Sequence, residues 1–435
     1  MDFPQLQPFV QHFAQSESVG DPATYLRERI SLSGLFEKIR PGQRVALAVG
    51  SRGIKNLVAM VRTIVEAVAE RGAHSFIIPS MGCHGGATAR GQKEILHALG
   101  LSEKSCGAPI VSSMEVVDLG QGTQEGARLL VSADALNADW VIPLARIKAH
   151  TAFQGSVESG LLKMLVVGLG KEQGARSFHL YSLRSPFPGY MIELANGLMA
   201  HLKIAAGVAV LEDADARTIR LELVGPEDFQ RTDSELLALC KKLSSGLPFQ
   251  EADVLIVEQM GKDISGAGLD TTVIGRSRHP VRPEPEIPRI RRIWVRSLTP
   301  DSHGNAKGIG LADFVSVRLI EEMDPGVTVT NSLTALVPEH AFVPPVLEPE
   351  RKILTEAFRS SGVVVPKEAK LAWIKDTSSL GRLLVSPALE VTLSAPAKPH
   401  PEGRAIPFLF DDAGNLVSFE QHWLKAFGYK SNMKK

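Results

Sequence analysis

The stretch "PGQRVALAVGSRGIKNLVAMVRTIVEAVAERGAHSFIIPSMGCHGGAT", residues 41–88, decides the fold class. A Pro-Gly turn leads into an apolar run at 44–49, which predicts a buried strand, and a Gly-Ser loop follows it. The next segment has helical apolar periodicity and closes at Gly72. A second apolar run then enters the glycine-rich loop "MGCHGGAT". Strand, loop, helix and strand in this order, with short connections, predict a parallel α/β sheet.

The same alternation extends along the rest of the chain. Residues 1–40 are expected to form a helical lead-in, and "ADWVIPLARIK" is a later strand of the first sheet. The strand-then-glycine-loop pattern starts again at "ADVLIVEQMGKDISGAGLD". A chain of 435 residues is too long for one compact core. We therefore predict two α/β domains with mainly parallel sheets, an N-terminal catalytic and cofactor-binding domain at 1–245 and a C-terminal domain at 246–435.

The bulk composition excludes several classes of protein. Lys plus Arg equals Asp plus Glu at 48 each, so net charge gives no argument for binding nucleic acid or a membrane surface. No stretch approaches the roughly 20 apolar residues of a membrane span, and the first residues do not resemble a signal peptide. The 3 scattered cysteines, without a CxxC pair, argue against a disulfide framework and a thiolate zinc site. We expect a cytoplasmic protein.

Ligands of parallel sheets bind beyond the carboxyl ends of the strands, which directs attention to the loops that follow the predicted strands. These loops are 50–55, 80–88, 146–163, 259–270 and 301–310. Most are rich in glycine and carry His, Lys, Arg or Asp. They are the places where a small-molecule site is expected.

The loop at 80–88 combines His84 with the glycines Gly85 and Gly86. Histidine titrates near neutrality and suits proton transfer, and glycine lets the backbone approach a ligand closely. Thr88 is placed to cap the next helix, whose N-terminus favours an anion such as phosphate. Arg52, in the loop before, offers a planar fork for a carboxylate. A solvated arginine and a surface-loop histidine would give the same pattern.

A second group of candidates lies at 146–179. His150 follows a predicted strand, Lys163 stands in the apolar run "SGLLKMLVVGLG", and His179 comes sixteen residues after Lys163. A lysine among apolar neighbours loses its proton more readily and becomes nucleophilic, although a snorkelling lysine shows the same pattern. Each histidine alone is also compatible with a structural role. Together these residues indicate a small-molecule site for an anionic ligand, with or without a metal.

Four motifs in order resemble the nickel-dependent lactate racemase family of 2-hydroxyacid racemases and epimerases. They are "GSRG" (50–53), "PSMGCHGGAT" (79–88), "IKAHTAFQGSVESGLLKM" (147–164) and "GARSFH" (174–179). The resemblance covers about residues 40–200 by motif and the rest by architecture only. It implies two α/β domains with the active site in the cleft between them.

The resemblance also implies a cofactor and roles for particular residues. Family members carry a nickel pincer nucleotide, for which Lys163 would be the covalent thioamide anchor and His179 the protein ligand to nickel. His84 and His150 would be the paired acid/base groups, and Arg52 would hold the substrate. One histidine would take the hydroxyl proton while hydride passes to the cofactor, and the other would return a proton on the opposite face.

For the nucleotide phosphate, the physics of anion binding suggests the amides near Gly85, Gly86 and Thr88. The expected partners are a small 2-hydroxyacid and the cofactor-synthesis enzymes, with no nucleic acid and no membrane.

Two departures from the family pattern concern the substrate. His150 and Lys163 are 13 residues apart, which is longer than expected, with the extra residues near "GSVES". The loop "MGKDISGAGLD" lacks the Tyr-Gln and following Lys that the resemblance associates with substrate contacts. Lys307, in "SHGNAKGIG", could replace the missing cation. The substrate is therefore expected to be bulkier or more polar than lactate, such as a sugar acid.

Two other functions are compatible with the same residues. The first is a protein that binds the nickel pincer cofactor without turnover, which would keep Lys163 and His179 but tolerate loss of His84 and His150. The second is a dehydratase or hydrolase that uses the two histidines with an ordinary divalent metal. That enzyme would carry no covalent adduct on Lys163.

Overall fold

The fold is taken from a computed structural model of the full chain. The structure describes residues 2–13, 17–51, 53–150, 154–184, 187–213, 216–243, 246–279, 284–393 and 399–429. By its internal contacts the chain divides into two compact units. The first unit is Gln15–Ser244, and the second unit combines Met1–Ala14 with Ser245–Lys435.

Strands and helices alternate through most of the chain. The strands are β1 (Gln7–Val10), β2 (Arg44–Val49), β3 (His74–Pro79), β4 (Val116–Gln121), β5 (Arg128–Ser132), β6 (Trp140–Arg146), β7 (Gly207–Glu212), β8 (Thr218–Val224), β9 (Glu251–Met260), β10 (Arg289–Leu298), β11 (Phe314–Val315), β12 (Leu371–Ile374), β13 (Arg382–Val385) and β14 (His400–Pro401). The α-helices are α1 (Pro22–Ser33), α2 (Leu57–Ala69), α3 (Ala89–Ala98), α4 (Glu103–Cys106), α5 (Ala133–Leu136), α6 (Leu161–Lys163), α7 (Lys171–Ser182), α8 (Gly189–Met199), α9 (Phe229–Leu243), α10 (Thr271–Ile274), α11 (Val317–Glu322), α12 (Pro325–Thr334), α13 (Glu350–Ser360), α14 (Pro387–Glu390) and α15 (Phe419–Ala426). A π-helical turn, Met164–Gly168, joins the α6 region to α7.

The first unit is built on a five-stranded sheet in the order β3-β2-β6-β7-β8. Neighbouring strands from β3 to β7 run parallel, and β8 closes one edge as an antiparallel partner of β7. Strand β2 occupies the run 44–49 predicted from its continuous apolar sequence. A separate antiparallel pair, β4 with β5, lies outside this sheet.

Helices cover both faces of the five-stranded sheet, which explains why its strands are apolar without alternation. Ala46 and Ala48 of β2 face one core, together with residues of α8 and α9. Their neighbours Val45 and Leu47 face the opposite core, with α1 and α2. Alternate side chains of a strand point to opposite faces, so one apolar run supplies both cores.

The second unit has a seven-stranded sheet in the order β11-β10-β9-β12-β13-β1-β14. Strands β9, β10, β11 and β12 pair in parallel, whereas β13, β1 and β14 add antiparallel pairs. Residues 7–10 therefore form a strand of this sheet, where the sequence predicted part of a helical lead-in to the N-terminal domain. The backbone of β1 pairs along its length with β13, a partner more than 370 residues away in the sequence.

The predicted α/β class with mainly parallel sheets is confirmed. In the part of the chain that the structure covers, no helix combines the length and the apolar character that crossing a membrane requires.

Candidate functional site

Three candidate loops follow neighbouring strands of the first sheet. Strands β3, β2 and β6 are adjacent and parallel, and Val49 near the end of β2 pairs with Pro79 of β3 and Leu144 of β6. Because the carboxyl ends of parallel strands meet at one edge, the loops after them gather there. This edge carries Ser51 and His84, and the segment leading to His150 begins from it.

The turn that carries His84 is tied to the neighbouring loop and to helix α3. The Ser51 hydroxyl lies 2.6 Å from Nδ1 of His84, and the imidazole is half-buried. The buried Gln92 amide donates to the carbonyls of Gly82 and His84 at 2.7 and 3.4 Å. One ring nitrogen of His84 thus has a fixed hydroxyl partner, and the backbone of its turn is anchored on α3.

The glycine loop and Thr88 already have structural roles in this turn. Gly85 has φ +66°, and a Cβ on it would lie 2.4 Å from the carbonyl carbon of Gly91. The Thr88 hydroxyl accepts the Gly91 amide at 3.0 Å and caps α3. Gly86 is exposed and has φ +62°. Close packing of the loop on α3 accounts for Gly85 and Thr88, and contact of these three residues with a nucleotide phosphate stays a prediction.

The segment after β6 folds back on itself and is held by Glu158. One carboxylate oxygen of this buried residue accepts the His150 amide at 2.6 Å, and the other accepts the Gly155 amide at 3.0 Å. Lys241 of α9 lies 2.6 Å from the same carboxylate. The additional sequence "GSVES" therefore supplies the carboxylate that fixes the backbone of His150.

The first amides of the helical segment that carries Lys163 donate to a buried carboxylate of α9. Asp233 accepts the amides of Leu161 and Leu162 at 2.9 and 3.0 Å. A Cβ on Gly160 would lie 2.3 Å from its Oδ1, so only glycine leaves room for this contact. Burial raises the pKa of Asp233 to about 7. The two amide hydrogen bonds favour the charged carboxylate and lower the pKa, but burial has the larger effect.

Lys163 and His179 lie on consecutive helical segments that run from Leu161 to Ser182. Both side chains are half-buried, and the Lys163 amine lies 3.4 Å from the Ser159 hydroxyl. The His179 ring meets Phe178 edge-on, with ring centroids 5.8 Å apart. The π-helical turn between the two residues is a local irregularity of a kind often found at functional sites.

Two sequence candidates, Arg52 and Lys307, remain. Arg52 and residues 151–153 lie outside the described residues. Lys307 belongs to the second unit, where its amide donates to Asn305 at 3.1 Å. Burial, together with the charges of Lys307, His279 and Lys262, lowers the pKa of the nearby His340 to about 4.

The two helical segments offer one amine and one imidazole as donor groups, from Lys163 and His179. Within the described residues, no three His, Cys, Asp or Glu side chains come together to hold a metal ion. A bare divalent ion would need such a set. The half-buried His179 and Lys163 are the imidazole and the amine that the family resemblance implies for holding a nickel nucleotide.

Sequence reasoning missed four buried polar residues around the site: Glu158, Asp233, Gln92 and Lys171. Asp233 stands on the apolar face of α9 between Phe229 and Leu236, and a carboxylate at such a position was a readable signal. Gln92 lies on the inner face of α3 beside Leu96 in the same way. Glu158 lies in a loop and Lys171 is the first residue of α7, so no apolar helix face marks either of them as buried.

The fold and the site therefore describe an α/β protein with candidate residues at the carboxyl edge of a parallel sheet. A sequence profile described as "Domain of unknown function (DUF362)" matches residues 50–226, and no curated protein matches the chain. The structure resembles the crystal structure of a Thermotoga maritima protein (TM-score 0.51, 13% identity, 84% of this chain and 99% of that one). It also resembles the lactate racemase apoprotein of Thermoanaerobacterium thermosaccharolyticum (TM-score 0.50, 11% identity, 83% and 93%). At these identities the likeness concerns the fold alone.

Proposed function

We propose that the chain is a nickel pincer nucleotide-dependent racemase or epimerase of a 2-hydroxyacid, and hence an isomerase. One observation carries the proposal: consecutive helical segments bear Lys163 and His179, and the turn bearing His84 packs against them. Gly82 of that turn donates to the Gly168 carbonyl at 3.4 Å. The fold likeness to a lactate racemase apoprotein supports the same class of enzyme.

Lys163 would hold the cofactor covalently through its amine, and His179 would bind the nickel. When bound, the cofactor supplies a reversible acceptor for hydride from the carbinol carbon. The amides near Gly85, Gly86 and Thr88 are the proposed contacts of its phosphate.

Side chains of the protein itself are proposed to carry out the proton transfers. The Ser51 hydroxyl, 2.6 Å from Nδ1 of His84, orients the imidazole that we assign to proton transfer. One of His84 and His150 takes the hydroxyl proton as the carbinol is oxidised, and the other returns a proton when the opposite face is reduced. A two-base arrangement of this kind inverts the carbon centre.

The substrate proposed is a 2-hydroxyacid bulkier or more polar than lactate, with Arg52 and Lys307 as the cations for its carboxylate. The proposed partners are the enzymes that make the cofactor, and the proposed location is the cytoplasm. A panel of hydroxyacids tests the substrate class, since lactate as the best substrate would contradict it.

The activity is tested by isomerisation assays on protein co-expressed with the pincer-synthesis enzymes. His84→Ala is expected to keep the visible absorbance of the cofactor and lose turnover. His97→Ala is the matched control, because His97 is an exposed histidine on α3 in the same unit. Full activity of His84→Ala would contradict the two-base mechanism. Cofactor absorbance without turnover on any hydroxyacid would instead favour a binding protein.

A further inference from the structure

Lys171 is a fully buried lysine to which no sequence motif assigns a function. Its relative exposure is 0%, and its backbone lies in the left-handed region at φ +53°. That conformation is unfavourable for an L-residue. Burying an amine is also unfavourable, and it is only partly offset by the charge of Asp134, because the described residues place no carboxylate within ion-pair distance of Lys171. An apolar side chain or a glycine would fill this position at lower cost, so packing alone does not explain the lysine.

The amine of Lys171 reaches the end of strand β3 and the side chain of Gln92. Nζ lies 2.6 Å from the Pro79 carbonyl and 3.4 Å from Oε1 of Gln92. An ammonium only donates, so it orients the amide with Oε1 towards Lys171. Nε2 of Gln92 is then left to donate to the carbonyls of Gly82 and His84.

The same turn packs directly on the helical segments that follow Lys163. A Cβ on Gly82 would lie 3.3 Å from Ala175 of α7 and from Val167 of the π-helical turn. A Cβ on Gly168 would lie 2.8 Å from the Ser80 carbonyl. The turn and the helix are therefore in close contact. Lys171, the first residue of α7, adds a polar link between them beside the hydrogen bond from Gly82 to Gly168.

We propose that Lys171 is a positioning residue which, through Gln92, holds the turn of His84 against the helix of His179. This inference rests on the proposed function for the roles of the two histidines. The contacts themselves do not depend on it. Burial lowers the pKa of Lys171 to about 8, and either protonation state can donate to both acceptors.

The test compares Lys171→Met with Lys38→Met on the cofactor-free protein. Methionine keeps the length of the side chain and removes the donors. Lys38 is a matched control because it also donates to a backbone carbonyl, that of Ile204, in the same unit. We expect Lys171→Met to speed amide hydrogen exchange at 80–88 by about tenfold or more and to move the titration midpoint of the His84 ring. Lys38→Met is expected to change neither.

Gln92→Glu provides a second variant if Lys171→Met does not fold. It keeps an acceptor for Lys171 and loses the donor to Gly82 and His84, so exchange at 80–88 should rise while exchange in α7 stays unchanged. Unaltered exchange and unaltered His84 titration in a folded variant would overturn the inference. Both readouts are independent of turnover, so a chain without racemase activity would refute the proposed function and leave this result standing.

Discussion

The hydroxyl of Ser51 lies 2.6 Å from Nδ1 of His84 and joins the loops that follow two neighbouring strands. The contact fixes the orientation of one imidazole that we assign to proton transfer. Ser51→Ala removes the partner and is expected to lower kcat about tenfold, the effect of one lost hydrogen bond of roughly 1–1.5 kcal/mol. The measurement is steady-state kinetics with thermal unfolding as a check on the fold.

Ser51→Thr is the control for this prediction because it keeps a hydroxyl at the same place. It should retain most of the activity. Equal losses in the two variants would mean that the hydroxyl does not orient His84.

The carboxylate of Glu158 fixes the backbone of the second proposed base. Glu158→Gln leaves the His150 or the Gly155 amide without its acceptor, and we expect a loss of about 1–3 kcal/mol in the free energy of unfolding. Lys241→Met removes the half-exposed ion-pair partner and its hydrogen bond to the Gly155 carbonyl, and should cost about 0–1 kcal/mol. Urea denaturation of both variants measures the difference. A greater loss in Lys241→Met would show that the ion pair, not the amide contacts, holds the loop.

The buried carboxyl of Asp233 makes stability depend on pH. Its pKa is raised from 3.8 to about 7 by burial, so the folded state binds the proton more tightly than the unfolded chain. The stability from this group is fully present below pH 4 and is lost as the pH rises through about 7. Asp233→Asn has no titrating group at this position. The deficit in its free energy of unfolding relative to the wild type should therefore shrink between pH 5 and pH 8.

The measurement is urea denaturation of wild type and Asp233→Asn at both pH values. Asp228→Asn is the control, since Asp228 pairs with Arg231 at the surface just before the same helix. A deficit that stays constant from pH 5 to pH 8 would mean that the two amide hydrogen bonds keep Asp233 charged over the whole range.

Gly160 leaves room for the same carboxylate. Gly160→Ala would place a Cβ 2.3 Å from Oδ1 of Asp233, and we expect a loss of about 1–3 kcal/mol in the free energy of unfolding. Gly189→Ala is the matched control, because nothing lies within 4 Å of a Cβ there. The combination of Gly160→Ala with Asp233→Ala tests the cause. If the two losses add fully, the clash with Asp233 is not the reason.

Local apolar runs and glycine-rich loops in the sequence predicted the strands of the first sheet and the loops that follow them. Strand β2 and helix α2 have strong apolar periodicity, and their positions depend on few distant contacts. Strand β1 could not be predicted in the same way, since four residues carry little pattern and their partner β13 is remote in the chain.

The buried polar residues that support the site could not be predicted from the sequence for a related reason. His84 and Lys163 stand in motifs that mark them, whereas Lys171 and Glu158 look like ordinary surface charges in sequence. Glu158 is buried against amides of its own folded-back loop, and Lys171 against the Pro79 carbonyl and the Gln92 side chain. Backbone partners cannot be predicted from local sequence, because nearly every residue carries the same N–H and C=O groups.

The central claim is that Lys163 anchors a nickel-bearing nucleotide, and intact mass with metal analysis tests it most directly. The protein should be co-expressed with the pincer-synthesis enzymes, beside a Lys163→Arg variant and a known lactate racemase as the loading control. The account predicts nickel near one equivalent and an added mass that peptide mapping localises to Lys163, with neither in Lys163→Arg. An unmodified Lys163 without nickel, under conditions that load the racemase, would contradict it.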